Sequence, residues 1–136
     1  MPFELRSHTA DIAVDATGET LEETFAAVAD GLAAAMCDSI PADGDRFGIE
    51  VRAESREAAL FDYLDELIYE RDVRHVLPVD NEATVSATTD GWRVEASARG
   101  VPLEAITARE IKAVTYSEMA LEETDAGWHA YVVFDV

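Results

Sequence analysis

Two short polar clusters, one near each end of the chain, contain the residue types that bind metal ions or transfer protons. His8 and Asp11 lie in the segment His-Thr-Ala-Asp, between two short strand-like runs. Asp135 and Val136 close another strand-like run, so the Asp135 side chain stands next to the terminal carboxylate. If the strands that carry these clusters are neighbours, Asp11, Asp135 and Val136 converge. Their anionic oxygens then repel one another unless a proton or a cation neutralises them.

The donor atoms that the chain offers indicate the kind of cation. Cys37 is the only cysteine, so no cysteine-based zinc site can be built. The three histidines, His8, His75 and His129, lie far apart in the sequence. Oxygen ligands from carboxylates and the main chain favour calcium, with magnesium as the alternative, over zinc.

The first cluster has two other interpretations. In one, Asp11 stabilises a turn by accepting hydrogen bonds from nearby backbone N–H groups. In the other, His8 and Asp11 form an acid–base pair, because they are close enough in sequence to hydrogen-bond across a bend. The sequence contains no P-loop, GxGxxG, G-x-S-x-G or HExxH motif, so an enzyme of the types that carry those motifs is unsupported.

A third candidate is the β-prone run at residues 112–116, which opens with the only lysine of the chain, Lys112. One interpretation is a buried strand with a lysine at its edge. The other is a polar row near the metal site, with Lys112 and Tyr116 on one face because side chains alternate along a strand.

The charge of the chain is unusual. It has 29 acidic and 10 basic residues, for a net charge of -19. Such a surface repels nucleic acid, so direct stable RNA binding is not expected. The acidity is typical of adaptation to a very salty cytoplasm, where screening weakens self-repulsion and carboxylates maintain solubility. A basic protein partner is the second explanation.

The elements that must position these residues follow from the spacing of apolar side chains. It predicts helices at residues 20–36 and 56–71, each beginning after a capping residue, Thr20 and Ser55. Turns are predicted at Thr17-Gly18 and Asp90-Gly91 and at residues 124–127. Strands are predicted at residues 3–7, 12–14, 48–54, 83–89, 92–98, 112–116, 119–122 and 129–136. The prediction is a single α+β domain over residues 1–136, a two-layer sandwich with two helices on one face of a mainly antiparallel sheet.

No targeting or membrane segment is recognisable. The longest mainly apolar stretch of the first third, residues 32–36, is far too short to span a bilayer. The N-terminus has no basic region followed by an apolar run, so a cytoplasmic location is expected.

Several segments, in this order along the chain, resemble motifs of the archease family. The second of them comprises a turn glycine and two apolar positions at the start of the first helix. The segments are His8-Thr9-Ala10-Asp11; Gly18, Leu21 and Phe25; Leu64-Asp65-Glu66-Leu67-Ile68; Glu110-Ile111-Lys112-Ala113-Val114-Thr115-Tyr116; and Phe134-Asp135-Val136.

The resemblance implies a function that composition does not show. Archeases are compact α+β proteins that assist the GTP-dependent RNA ligase of the RtcB type in tRNA splicing. They promote guanylylation of the ligase, allow it to turn over repeatedly and influence which nucleotide it accepts. The ligase performs the chemistry, so the resemblance implies a protein cofactor and not an enzyme. Archease-like proteins have also been considered general chaperones or modulators of RNA and DNA methyltransferases.

The resemblance also implies a site. The calcium site of the family corresponds to Asp11, Asp135 and the main-chain oxygen of Val136. Candidate ligase contacts or supports of that site are His8, Lys112, Thr115 and Tyr116. The chain departs from the family at Ser117, where members often have histidine.

Overall fold

The computed structural model describes residues 2–8 and 11–136, with only the backbone described at residues 6–8. In this part of the chain there are two α-helices and seven strands. Their order is β1 (Phe3–His8), β2 (Asp11–Gly18), α1 (Leu21–Met36), β3 (Asp45–Ala53), α2 (Arg56–Arg74), β4 (Val76–Thr88), β5 (Gly91–Pro102), β6 (Ala113–Thr124) and β7 (Gly127–Asp135), with a short 3-10 turn at Leu103–Ala105.

The strands divide into two antiparallel sheets. The first has the order β1-β2-β7-β6 and the second the order β3-β5-β4. Helix α1 packs against β2 of the first sheet and β4 of the second, and α2 packs mainly against β3 and β6. The predicted α+β class with mainly antiparallel strands and two packed helices is confirmed. The division into two sheets is a feature that the strand pattern does not reveal.

Both helices begin at the predicted capping residues. The Thr20 hydroxyl accepts a hydrogen bond from the Glu23 N–H at 3.1 Å, and the Glu23 carboxylate accepts one from the Glu19 N–H at 3.3 Å. The Ser55 hydroxyl caps α2 in the same way, at 3.0 Å from the Ala58 N–H. These bonds satisfy N–H groups that have no partner inside the helix.

The core lies between the helices and the two sheets. Its largest fully buried side chains come from both helices, from strands of both sheets and, at Ile111, from the connection between β5 and β6: Tyr63, Phe25, Phe134, Leu32, Leu60, Leu64, Leu77, Ile111, Val14, Val28, Val94 and Val101. Gly31 lets α1 pack closely against the first sheet. A Cβ atom at Gly31 would lie 2.5 Å from Val14 Cγ1 and 3.2 Å from the Phe3 ring.

The structure corrects two predictions in the first sheet. The predicted turn at Thr17-Gly18 is wrong, because both residues pair with β7, opposite His129 and Trp128. The predicted strands at residues 112–116 and 119–122 form one strand, β6, whose register shifts between Thr115 and Ala120. A local bulge interrupts the polar and apolar alternation and makes one strand look like two.

The second sheet contains the predicted hairpin in a slightly different position. Thr88 pairs with Gly91, so Thr89 and Asp90 are the two central residues of the turn. Gly91, with φ of 155°, begins the return strand instead of completing the turn. Strand β4 also begins earlier than predicted, at Val76, and its register shifts between Val79 and Glu82.

None of the helices in the described ranges is long and apolar enough to span a membrane.

Candidate functional site

Strand pairing brings Asp11 and Asp135 to the same end of the first sheet. Strands β2 and β7 are antiparallel neighbours whose last registered pair at this end is Ile12 and Phe134. Asp11 and Asp135 are the next residues on the two strands, so they occupy facing positions. Facing residues of antiparallel strands have Cβ atoms about 5 Å apart. Two carboxylates from opposite ends of the sequence therefore become neighbours.

Asp11 and Asp135 lie one residue beyond Ile12 and Phe134, which contribute to the core. Asp11 lines a cavity together with Ile12, with residues at the end of α1 and after it, and with Arg109. Asp11 is half-buried and Asp135 is exposed. His8 lies opposite Asp11 in the β1–β2 register, which puts its backbone in the same row. Its side chain lies outside the described part of the structure, as do residues 9 and 10.

The connection from β5 to β6, residues 103–112, lies near this end of the sheet. Three hydrogen bonds hold it in place. The Arg109 N–H donates to Met36 O at 2.7 Å, at the end of α1, and the Lys112 N–H donates to Asp135 O at 2.8 Å. Between them, Arg71 Nη1 donates to Ile111 O at 2.6 Å. The Lys112 bond holds the backbone of Asp135 directly.

Arg71 supports this connection from inside the molecule, and sequence reasoning did not identify it. Only 6% of its surface is exposed, and its Nε donates to the Asp72 carboxylate at 2.9 Å. A buried arginine needs hydrogen-bond acceptors for its charge. Because α2 continues to Arg74 instead of ending at residue 71, the guanidinium is carried on a rigid helix.

Of the other predicted site residues, Lys112 and Thr115 contact the strand that carries Asp135, whereas Tyr116 lies against α2. Lys112 meets Asp135 through its backbone, and its side chain is exposed. The Thr115 hydroxyl donates to Val133 O at 3.0 Å on the neighbouring strand and accepts a bond from the Ser117 N–H at 3.2 Å. These contacts stabilise the strand ends behind the aspartates.

Tyr116 does not join the aspartates. Its ring stacks on Phe61 of α2, with centroids 4.1 Å apart, and 55% of the residue is exposed. Partial burial and the nearby carboxylates of Asp62 and Glu54 raise the pKa of Tyr116. The residue therefore contributes an exposed aromatic surface beside the helix.

The ligand atoms available at these strand ends are of the type that hard cations prefer. They comprise the carboxylates of Asp11 and Asp135 with the main-chain oxygen of Val136, all of them oxygen ligands. Among the side chains that the structure describes, those of residues 2–5 and 11–136, no three or more of His, Cys, Asp or Glu form a group that could hold a metal. The described residues thus offer part of a calcium shell of six to eight oxygens, and the remaining positions would fall to water or a partner.

A second polar cluster on the outer face of the first sheet was not predicted. His129 Nε2 lies 2.6 Å from Asp15 Oδ1, and His129 Nδ1 lies 3.2 Å from Glu122 Oε1. Burial alone would lower the pKa of His129, but the two hydrogen-bonded carboxylates raise it. Both ring nitrogens are engaged, so the cluster ties β2, β7 and β6 together. Sequence spacing could not reveal it, because each member comes from a different strand.

Sequence comparison identifies the relatives of this chain. The profile of the archease protein family matches residues 3–136. The protein archease of Thermococcus gammatolerans is 36% identical over 139 residues, which cover 98% of both chains. The protein archease of Archaeoglobus fulgidus is 33% identical over the full length of both chains.

Solved structures have the same fold. The solution structure of a Methanobacterium thermoautotrophicum protein superposes with a TM-score of 0.86 and 28% identity, covering 99% of each chain. The crystal structure of a Thermotoga maritima protein, described as an archease and possible chaperone, has a TM-score of 0.67 and 23% identity, covering 98% of this chain and 96% of that one.

Proposed function

The chain belongs to the archease family, and from that premise we propose that it is a cytoplasmic protein cofactor of an RtcB-type RNA ligase in tRNA splicing. It promotes guanylylation of the ligase with GTP and allows repeated turnover, while the ligase performs the chemistry. The observation that carries this proposal is the pairing of β2 with β7, which sets Asp11 and Asp135 at facing strand ends. We call Asp11, Asp135 and Val136 the acidic end.

The acidic end is also the proposed cation site. Asp11 and Asp135 supply carboxylate oxygens and Val136 supplies a main-chain oxygen to Ca²⁺, with Mg²⁺ as the alternative. When bound, the cation neutralises the two carboxylates. The Lys112 N–H holds the main-chain oxygen of Asp135 at 2.8 Å, which fixes the strand end from which Asp135 and Val136 reach the site.

The partner in this proposal is the ligase protein and not its RNA. With a net charge of -19, the molecule repels a polyanion. His8, Lys112, Thr115 and Tyr116 are proposed as ligase contacts or supports of the acidic end. Tyr116 suits contact best, because its ring is flat against Phe61 and largely exposed. Ser117 takes the position where relatives often have histidine, so that contact differs here.

The direct experiment measures transfer of labelled GMP from GTP to the cognate ligase, at high salt, with this protein below the ligase concentration. Asp11→Asn and Asp135→Asn should lose most of the acceleration, because they remove a carboxylate without changing side-chain size. Asp125→Asn is the matched control, since Asp125 lies in the exposed turn at the opposite end of β7. Full acceleration by folded Asp11→Asn and Asp135→Asn variants would refute the role of the acidic end.

Cation binding is tested separately by calorimetric titration with Ca²⁺ and then with Mg²⁺. The wild-type protein and Asp125→Asn should bind with the same affinity. Asp11→Asn and Asp135→Asn should bind at least about tenfold more weakly, because a lost charged ligand weakens a site built from few of them. Equal affinity in all four proteins would place the cation elsewhere and leave the ligase assay to stand alone.

The alternative function is a general chaperone or a modulator of RNA or DNA methyltransferases. It is favoured by the description of the Thermotoga maritima relative as a possible chaperone. Affinity capture from cell extract at native salt distinguishes the two functions. Recovery of methyltransferases without ligase would favour the alternative, and recovery of the ligase would favour the cofactor role.

A further inference from the structure

Large, mainly apolar side chains are exposed on the outward side of α2. Tyr69 is 56% exposed and Val73 is 55% exposed. They are four residues apart, so they are neighbours on the helix surface. Nearer the start of α2, the exposed ring of Tyr116 lies flat on Phe61. With a rise of about 1.5 Å per residue, the distance from Phe61 to Val73 along the helix is about 18 Å.

Three carboxylates lie on the helix between these two apolar regions. Asp65 precedes Tyr69 by four residues, and Asp62 and Glu66 are also four apart, so the three acids are neighbours. Partial burial, followed by the charge of Asp65, raises the pKa of Asp62. Partial burial also raises the pKa of Glu66, followed by the charges of Glu70 and Asp65. The carboxylates on this side of the helix therefore repel one another.

No basic side chain compensates the charge of these acids. The structure describes all of α2, and within the described part of the chain Asp62, Asp65 and Glu66 make no hydrogen bond or ion pair. Lys112, the basic residue just before β6, makes no side-chain ion pair there either. The arginines of α2 are engaged elsewhere: Arg56 lies over the rings of Trp92 and Trp128, Arg71 donates to Ile111 O, and Arg74 pairs with Glu70. The negative charge is therefore available to a partner.

The shape and charge of this surface indicate what can cover it. In the middle of a helix the backbone N–H and C=O groups bond to one another, so a partner must bind through side chains. A second helix packs on such a surface by placing its rows of side chains between those of α2. Aliphatic side chains of that helix would cover Tyr69 and Val73, and its lysines or arginines would face the three acids.

We propose that the outward side of α2 is a docking surface for an amphipathic helix of a partner protein, one that carries both basic and aliphatic side chains. This α2 surface consists of Phe61, Asp62, Asp65, Glu66, Tyr69, Val73 and Tyr116.

A second copy of this chain suits the α2 surface less well. It would place the same uncompensated acids against each other and bring together two chains that each have a net charge of -19. The α2 surface shares Tyr116 with the proposed ligase contact. The proposal goes beyond the proposed function, because it needs neither the acidic end nor the ligase reaction.

The test titrates ¹⁵N-labelled protein with two synthetic amphipathic helical peptides of equal length, one of leucine and lysine and one of leucine and glutamate. High salt is used, so that only attraction between groups in close contact survives screening. The lysine peptide should shift the amide signals of residues 61–73 and of Tyr116 more than those of the other strands. The glutamate peptide should bind at least about tenfold more weakly, because its carboxylates would face the acids of α2.

Two double variants separate the apolar and the charged contributions. Tyr69→Ser with Val73→Ser should weaken binding of the lysine peptide by about tenfold or more, because both side chains would be covered in the complex. Ile40→Ser is its matched control, since Ile40 is an exposed aliphatic residue outside α2. Asp65→Asn with Glu66→Gln keeps the size of both side chains and should narrow the difference between the two peptides.

Four outcomes would overturn the proposal. The lysine peptide could fail to bind, or shift amides evenly over the whole acidic surface. The glutamate peptide could bind equally well, which would remove the role of charge. The Tyr69→Ser, Val73→Ser protein could bind as tightly as the Ile40→Ser control. Sedimentation could show a wild-type dimer that the same double variant dissolves, which would make the occupant a second copy. None of these readouts involves the ligase or a cation, so a negative guanylylation assay leaves them unaffected.

Discussion

Replacing Arg71 with methionine should loosen the acidic end from a distance. The substitution keeps a long side chain in the same space but removes the bond from Nη1 to Ile111 O, which measures 2.6 Å. Ile111 is fully buried, so its carbonyl would lose a partner that water cannot easily replace. The neighbouring residue, Lys112, holds Asp135 through its backbone N–H, and that contact should weaken in turn.

Arg71 loses its bonds to Ile111 O and to the Asp72 carboxylate, together with a contact of 3.3 Å from Nη1 to the Met36 sulfur. Because sulfur is a weak acceptor, the first two set the magnitude. A buried carbonyl left without a donor costs about 1–3 kcal/mol. The ion pair with Asp72, whose side chain is 63% exposed, contributes at most about 1 kcal/mol. Burying an apolar methionine in place of a guanidinium offsets part of this cost. We expect the free energy of unfolding to fall by about 2 kcal/mol.

Two measurements check this expectation. Urea unfolding followed by circular dichroism at high salt gives the change in stability, and amide hydrogen exchange at Lys112 reports the contact with Asp135. Arg52→Met is the matched control, because the Arg52 side chain is 65% exposed in its 3.7 Å ion pair with Glu50 and should contribute less than about 1 kcal/mol. If Arg71→Met matches Arg52→Met in stability and leaves exchange at Lys112 unchanged, Arg71 does not support the acidic end.

Three further predictions concern the core and the outer face. Tyr63→Phe should leave the melting temperature unchanged or raise it, because the buried hydroxyl has no hydrogen-bond partner among the described residues; a clear loss would indicate a bound water. Gly31→Ala should cost about 1–3 kcal/mol through overpacking against Val14, measured by urea unfolding, despite the better helix propensity of alanine. The raised pKa of His129 means that its ion pair with Asp15 stabilises the fold below the unfolded pKa of 6.5. That contribution should be lost as pH rises through the folded pKa, and unfolding of His129→Gln should show a flatter pH dependence, whereas equal curves would contradict the assignment.

Local sequence signals predicted the helices well because their causes are local. Thr20 and Ser55 cap the helices through bonds to residues three positions away, so spacing alone identifies them. The end of α2 was predicted too early, at residue 71. Arg71 looks like the polar end of a helix in sequence, but it is buried because its guanidinium finds acceptors on the β5–β6 connection.

The bulge in β6 could not be predicted in the same way. Residues 116–119 interrupt the polar and apolar alternation, and Glu118 has a φ of 56°. In sequence this resembles a loop between two strands. The structure has a single strand there because pairing with β7 resumes at Ala120, and a partner strand far along the chain decides whether an irregular segment stays within a sheet.

The sequence by itself determined the residue types of the candidate site and the class of fold. It supplied two aspartates, oxygen-only donors and two amphipathic helices among alternating strands, and these depend only on composition and short-range spacing. Tertiary structure alone decided which strands became neighbours. The pairing of β2 with β7 sets Asp11 opposite Asp135, although the two residues come from opposite ends of the sequence. The buried guanidinium of Arg71 holds the β5–β6 connection next to them through its bond to Ile111 O. Both depend on long-range packing, because the free energy of burying the shared core selects one strand order from the many that local patterns permit.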